Sequence, residues 1–149
     1  SHLLFVGDGK LKPALEKRAK NYDQITFLPF QNQSSLPTIY RMANVFALPS
    51  SGPGETWGLS VNEAMACGIP AIVSDRVGCE KDLVKDTGAG WSFAAGDNEA
   101  LMKILVQVIE LDKVGLSDAG KIAKVLISKY SYANTSKAVE AAVDGVTPS

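Results

Sequence analysis

The stretch Val45–Ser74, VFALPSSGPGETWGLSVNEAMACGIPAIVS, decides the fold. The apolar run Val45–Leu48 predicts a strand, and a long loop through Gly52, Pro53 and Gly54 follows it. A helix is expected over Leu59–Cys67, with Val61, Ala64, Met65 and Gly68 on its apolar face. Gly68 ends that helix and Pro70 prevents its continuation, so the run Ala71–Ser74 starts a second strand. Strand, loop, helix and strand in this order form the repeating unit of a parallel α/β sheet.

The same alternation extends in both directions. Leu3–Val6, Ile25–Leu28 and Gly90–Phe93 read as further strands, and Lys12–Tyr22, Leu36–Ala43 and Lys81–Val84 as the helical segments between them. Three helical stretches close the chain, over Asn98–Glu110, Ser117–Tyr130 and Asn134–Gly145. The strands are too apolar for a half-solvated sheet, so helices are expected on both faces. At 149 residues the chain suffices for one domain, 1–149. It opens on Leu3-Leu4-Phe5-Val6, a run typical of a buried strand, with almost nothing before it. The first elements of the domain are therefore expected upstream of Ser1.

Fifteen Lys and Arg against 16 Asp and Glu leave a net charge of −1, so no basic footprint for nucleic acid exists. No apolar run approaches the roughly twenty residues of a membrane span, and the N-terminus lacks the marks of a secretory signal. A cytoplasmic location is expected. Two cysteines and one histidine, His2, cannot build a disulfide framework, an ordinary zinc cage or a Ser-His-Asp triad. Gly7-Asp8-Gly9 lacks the third glycine of a dinucleotide fingerprint and reads as a tight turn.

Ligands of parallel sheets bind beyond the carboxyl ends of the strands. Here those ends are Gly7-Asp8-Gly9, Pro29-Phe30-Gln31, Pro49-Ser50-Ser51-Gly52 and Asp75-Arg76-Val77-Gly78. The helix beginning near Gly58-Leu59 points its free N–H groups at that edge, and such a helix start attracts phosphate. Gly58 lets an anion approach without a side chain in the way. Glu55 and Glu63, with seven residues between them, frame the helix start. Carboxylates are good acceptors for sugar hydroxyls, so the set reads as a nucleotide-sugar site: amides for a diphosphate, acids for two sugars. The spacing also fits a capping box, Ser60-Val61-Asn62-Glu63, in which Glu63 only satisfies a backbone amide. Trp57 fits a core plug or a sugar-stacking platform. The residues leave these alternatives open.

Glu55-Thr56-Trp57-Gly58-Leu59 followed by Glu63-Ala64-Met65-Ala66-Cys67-Gly68-Ile69-Pro70 resembles the E-x7-E signature of GT-B glycosyltransferases, in particular family 4, the glycosyl transferases group 1. LLFVGDGKLKPALEKRAK, VFALPSSGPGE and AIVSDRVGCEKDLVKDTGAGWSFAAGDNEAL extend the similarity over nearly the whole chain. The resemblance implies a Rossmann-like parallel sheet with helices on both faces, one half of a GT-B fold. It further implies the C-terminal, donor-binding domain, lacking its first strand-helix unit.

Carried over by resemblance, Glu63 bonds the donor ribose hydroxyls. Glu55 is the catalytic position, acting by placing the transferred sugar rather than by nucleophilic attack. Thr56 and the backbone of Trp57, Gly58 and Leu59 meet the sugar and diphosphate, and Pro29, Phe30 and Gln31 meet the base. Pro29 stands where a glycine is common, Cys79 where the family has the second glycine of G-G-x-x-E, and Asp82 where it has the Glu. No Lys or Arg matches the family's diphosphate-binding pair, which belongs to the first strand-helix unit.

The implied function is retaining, metal-independent transfer of a hexose from a nucleoside diphosphate sugar to a glycan, lipid or small-molecule acceptor, in polysaccharide biosynthesis. The nucleotide sugar is a substrate, and no resident cofactor is implied. The partner is the N-terminal acceptor domain of the same protein, through which peripheral membrane association is conceivable. The chain alone is expected to bind nucleotide weakly and transfer no sugar. Two other functions are compatible with the residues: a GT-B sugar-nucleotide epimerase, and a non-catalytic sugar-nucleotide-binding domain.

Overall fold

A computed structural model describes residues 1–145. The chain divides into two compact units, Ser1–Ile39 and Tyr40 onward.

In the first unit, β1 (Leu3–Val6) and β2 (Ile25–Leu28) form a parallel pair in the register Leu3 to Ile25, with α1 (Lys12–Ala19) between them in sequence. Phe5 and Phe27 stack across the pair with ring centroids 4.9 Å apart. The expectation of a buried first strand is not met: Leu3, Phe5 and Val6 are all exposed. Among the described residues β1 bonds only to β2, so its apolar residues stand at a sheet edge. α1 is also shorter than its pattern predicts. It ends at Ala19, and a turn in which Tyr22 N–H donates to the Ala19 carbonyl leads into β2.

α2 (Leu36–Met42) crosses into the second unit, whose sheet is the parallel trio β3 (Phe46–Leu48), β4 (Ala71–Ser74) and β5 (Gly90–Phe93), with β4 in the centre. All four residues of β4 are buried. Its alternation supplies two cores. Ala71 and Val73 join Val61 and Met65 of α3 (Leu59–Ala66) and Ala123 and Ile127 of α5 (Lys113–Ile127) on one side. Ile72 joins Phe93 and Val108 of α4 (Asn98–Glu110), with Leu101 and Ile104, on the other. Around β4 the expectation of helices on both faces is therefore met. A central strand with neighbours on each side and helices over each face has no solvated surface left.

Two helix starts differ from the expected ones, and side-chain caps explain both. α5 begins at Lys113 because Asp112 accepts from Gly115 N–H at 2.7 Å, and α6 (Tyr132–Asp144) begins after Ser131, which accepts from Asn134 N–H at 3.3 Å. Between β4 and β5 the expected segment is a π-helical turn, Glu80–Val84. α3 and α5 touch closely: a Cβ on Gly120 would overlap the carbonyl oxygen of Gly68. No helix among the described residues is long and apolar enough to cross a membrane.

Candidate functional site

The loop between β3 and α3 leaves the carboxyl end of its strand and is tied at once to the neighbouring one. Ser74, fully buried at the end of β4, donates its hydroxyl to the Ser50 carbonyl. Further on, the loop lies against the segment after β4. Gly78 N–H donates to the Glu55 carbonyl at 3.3 Å and Cys79 N–H to the Trp57 carbonyl at 2.8 Å. That approach demands a glycine at 78, since a Cβ there would overlap the Thr56 carbonyl oxygen and sit 3.0 Å from Trp57 Cα.

Gly58 is the N-cap of α3, with φ of 98° in the left-handed region. Its Cβ, if present, would lie 2.6 Å from Val77 Cγ1, so backbone angle and packing both call for glycine. No side chain caps the helix. Its first amides are thus left to whatever lies beyond the carboxyl edge of the sheet, the arrangement that suits an anion. Thr56 and Leu59 are exposed beside this start and Glu55 is half-buried.

The capping-box alternative is not what the structure shows. Ser60 is the second residue of the helix rather than its cap. Glu63 instead accepts a hydrogen bond from the Tyr40 hydroxyl, Oη to Oε2 at 2.9 Å. Tyr40 is buried, and desolvation first, then the Glu63 carboxylate, raises its phenol well above the ordinary range. Trp57 serves as a plug. Its ring packs on the core under α3, lies 6.0 Å from the Tyr130 ring, and its indole N–H donates to Asn62 Oδ1 at 3.0 Å.

Glu63 also lines an open groove of about 420 Å³, with Asn62 and Ala66 on the same wall and Lys124, Ile127, Ser128 and Tyr130 on the other. Cys79 is buried beneath the loop, and burial pushes its thiol up to about 11, with Asp82, Glu55 and Glu80 adding to the effect. Asp82 is exposed on the π-helical turn. Among the described residues no group of three His, Cys, Asp or Glu side chains is placed to hold a metal ion.

Pro29, Phe30 and Gln31 belong to the Ser1–Ile39 unit. Phe30 is 75% exposed, and its N–H donates to Asp8 Oδ2 at 2.6 Å, while Lys12 Nζ meets Asp8 Oδ1 at 2.7 Å. The Lys12 ammonium, then the Phe30 amide, hold the Asp8 carboxyl below its usual range. Gly7-Asp8-Gly9 is thus a turn whose acid fastens the loop after β2, as the missing third glycine suggests. Tyr40 and Asn62 belong to the site in ways the signature does not mark. Gly78 stands at the first glycine of the G-G-x-x-E pattern and at a strand's carboxyl end, so the sequence did mark its position.

A parallel α/β unit with an uncapped, glycine-led helix starting at its carboxyl edge is compatible with one half of a GT-B fold. Residues 1–126 match the model of the family described as glycosyl transferases group 1, and the chain belongs to that family. It is similar to a D-inositol 3-phosphate glycosyltransferase of Gordonia bronchialis, 36% identical over 117 residues, covering 76% of this chain and 24% of the relative. The sulfoquinovosyl transferase of Arabidopsis thaliana is 31% identical over 135 residues, 89% of this chain and 26% of its own. The chain therefore spans about a quarter of the length of these curated relatives. In fold it resembles sucrose-phosphate synthase from Thermosynechococcus elongatus, with TM-score 0.79, 24% identity, and coverage of 98% of this chain and 39% of that one. It also resembles the Anabaena protein HepE in complex with UDP, with TM-score 0.82, 21% identity, and coverage of 97% and 41%.

Proposed function

We propose that this chain is the C-terminal, nucleotide-sugar-binding domain of a longer, retaining hexosyltransferase of family 4. The observation that carries the proposal is the α3 start: an N-cap glycine without a side-chain cap, with Glu63 less than two turns into the helix behind it. The α3 amides at Leu59 and Ser60 take the donor diphosphate, and Glu63 accepts the ribose hydroxyls. Glu55 and Thr56 take the transferred sugar. The helix dipole stabilises charge on the departing diphosphate. Glu55 and Glu63 contribute by position, holding the donor in reacting geometry. The leaving phosphate, on the donor's own face, helps take the acceptor proton.

The length of the relatives supports the rest. The N-terminal acceptor domain, the first strand-helix unit and its diphosphate-facing Arg and Lys then belong to parts of the protein outside this chain. The names of two relatives, the D-inositol 3-phosphate glycosyltransferase and a phosphatidyl-myo-inositol mannosyltransferase of Mycobacterium leprae, support a small-molecule or lipid acceptor. The UDP bound by HepE supports a nucleoside diphosphate donor. By family likeness the reaction is metal-independent, uses no resident cofactor, and proceeds in the cytoplasm as part of polysaccharide biosynthesis, with any membrane contact made through the acceptor domain.

A thermal-shift panel of UDP, GDP and ADP with their sugars, run on the chain and on Glu63→Ala, tests the site. One base is expected to stabilise the chain. Glu63→Ala should weaken that nucleotide ~10- to 100-fold, the worth of a hydrogen bond to a charged group. Equal binding by both proteins refutes the assignment of Glu63.

A further inference from the structure

Glu63 has a partner 23 positions away in sequence that no signature marks. Tyr40 is 8% exposed, and its ring stands edge-on to Phe46, with centroids 5.6 Å apart and planes at 81°. Phe46 opens β3 and Tyr40 lies in the part of α2 that belongs to the same unit, so ring and neighbour are held in one unit. A phenol has a single proton to donate, and this one goes to Glu63 Oε2 at 2.9 Å. Turning the hydroxyl away would leave a buried polar group without a partner, so the bond is costly to break. Glu63 itself is half-buried and borders the groove.

A glutamate carries three rotatable bonds, and accepting a pair of vicinal hydroxyls requires its carboxylate plane to be fixed. We infer that Tyr40 is a positioning residue for nucleotide binding: by anchoring one oxygen of Glu63 it holds the carboxylate in the orientation that accepts ribose hydroxyls, and so sets the preference for ribose over a sugar lacking them. This role rests on the donor-site function proposed above. It adds to it a residue that touches no ligand and acts only through Glu63.

The test is calorimetric titration of UDP, GDP and ADP, each against its 2′,3′-dideoxy counterpart, into the chain and into Tyr40→Phe, Glu63→Ala and the double variant. Tyr40→Phe keeps the ring and its Phe46 contact and removes only the hydroxyl. It should reduce the ribo-over-dideoxy preference about 3- to 10-fold, the cost of re-ordering one free side chain on binding, and leave dideoxy affinity unchanged. Glu63→Ala should abolish the preference, and the double variant should match Glu63→Ala. Phe46→Leu, which loosens the ring with the hydroxyl intact, should give a smaller loss, and it carries the test if Tyr40→Phe does not fold. A purely structural Tyr40 would lower affinity for both nucleotide forms equally, and that result overturns the role. So does an intact preference in Tyr40→Phe beside an abolished one in Glu63→Ala, while leaving the donor site standing. A preference that survives Glu63→Ala, or binding of none of the six nucleotides, overturns the donor site and the role together.

Discussion

Replacing Gly78 by alanine attacks the signature loop from outside it. The added Cβ would overlap the Thr56 carbonyl oxygen, with Thr56 C at 2.6 Å and Trp57 Cα at 3.0 Å. All three are main-chain atoms, so no rotamer change relieves the clash and the loop itself must retreat. Retreat strains two hydrogen bonds, Gly78 N–H to Glu55 and Cys79 N–H to Trp57, each worth about 1 kcal/mol net. Overpacking of a tight contact adds about 1–3 kcal/mol. The sum is a destabilisation of about 3–5 kcal/mol, or a fall in Tm of roughly 6–20 °C for a domain of this size. Gly52→Ala is the control, because a Cβ there meets nothing within 4 Å; it should stay within about 0.5 kcal/mol of the parent. Denaturant melts of the three proteins measure the stabilities, and nucleotide titration reports the loop. Gly78→Ala should bind nucleotide more weakly even at temperatures where it is fully folded, since Glu55, Thr56 and the α3 start move with the loop. A variant that melts and binds like the parent would refute the claim that the contact with Gly78 positions this site.

Stability should decline on the alkaline side. Cys79 ionises near 9.0 in a free chain and near 11 here, and Tyr40 is shifted in the same direction. Between those pH values the unfolded chain has lost the thiol proton that the folded one keeps. The contribution, on the order of 1–3 kcal/mol, is thus complete below pH 9 and lost as pH rises toward 11. Melting curves from pH 8 to 11 should fall, with a shallower slope for Cys79→Ala, and identical slopes would refute the assignment. Assayed with UDP-, GDP- and ADP-hexoses and a panel of polyol, glycan and lipid acceptors, the chain alone should transfer no sugar. Sustained turnover by it would overturn the assignment of the diphosphate cations and acceptor domain to other parts of the protein.

Most strands were legible in the sequence because a buried strand leaves a short apolar run with Gly or Pro beside it; Ala71–Ser74 and Gly90–Phe93 match their predicted bounds. Helix starts were less legible. The caps Asp112 and Ser131 lie outside the apolar periodicity that marked α5 and α6, so both helices begin earlier than that periodicity indicates. β1 shows the opposite limit. Its residues have the composition of a buried strand, yet burial depends on what lies over them, and Leu3 is 49% exposed.

The site divides the same way. The sequence alone determined the loop-to-helix transition at Gly58 and the placing of Glu55 and Glu63 on either side of it, because these depend on local spacing within one loop and one helix; the family came from the resemblance of its motifs. Only the tertiary structure decided what Glu63 is bonded to. A capping box and a tyrosine partner satisfy the same carboxylate equally well on paper. The competition was settled by Gly58 occupying the cap position and by α2 delivering Tyr40 to within 2.9 Å. Tertiary structure also turned Trp57 inward, through Asn62 and Tyr130, and pressed Gly78 against the loop. Contacts between residues distant in the chain leave no period or spacing to read, since they arise from the packing of whole elements.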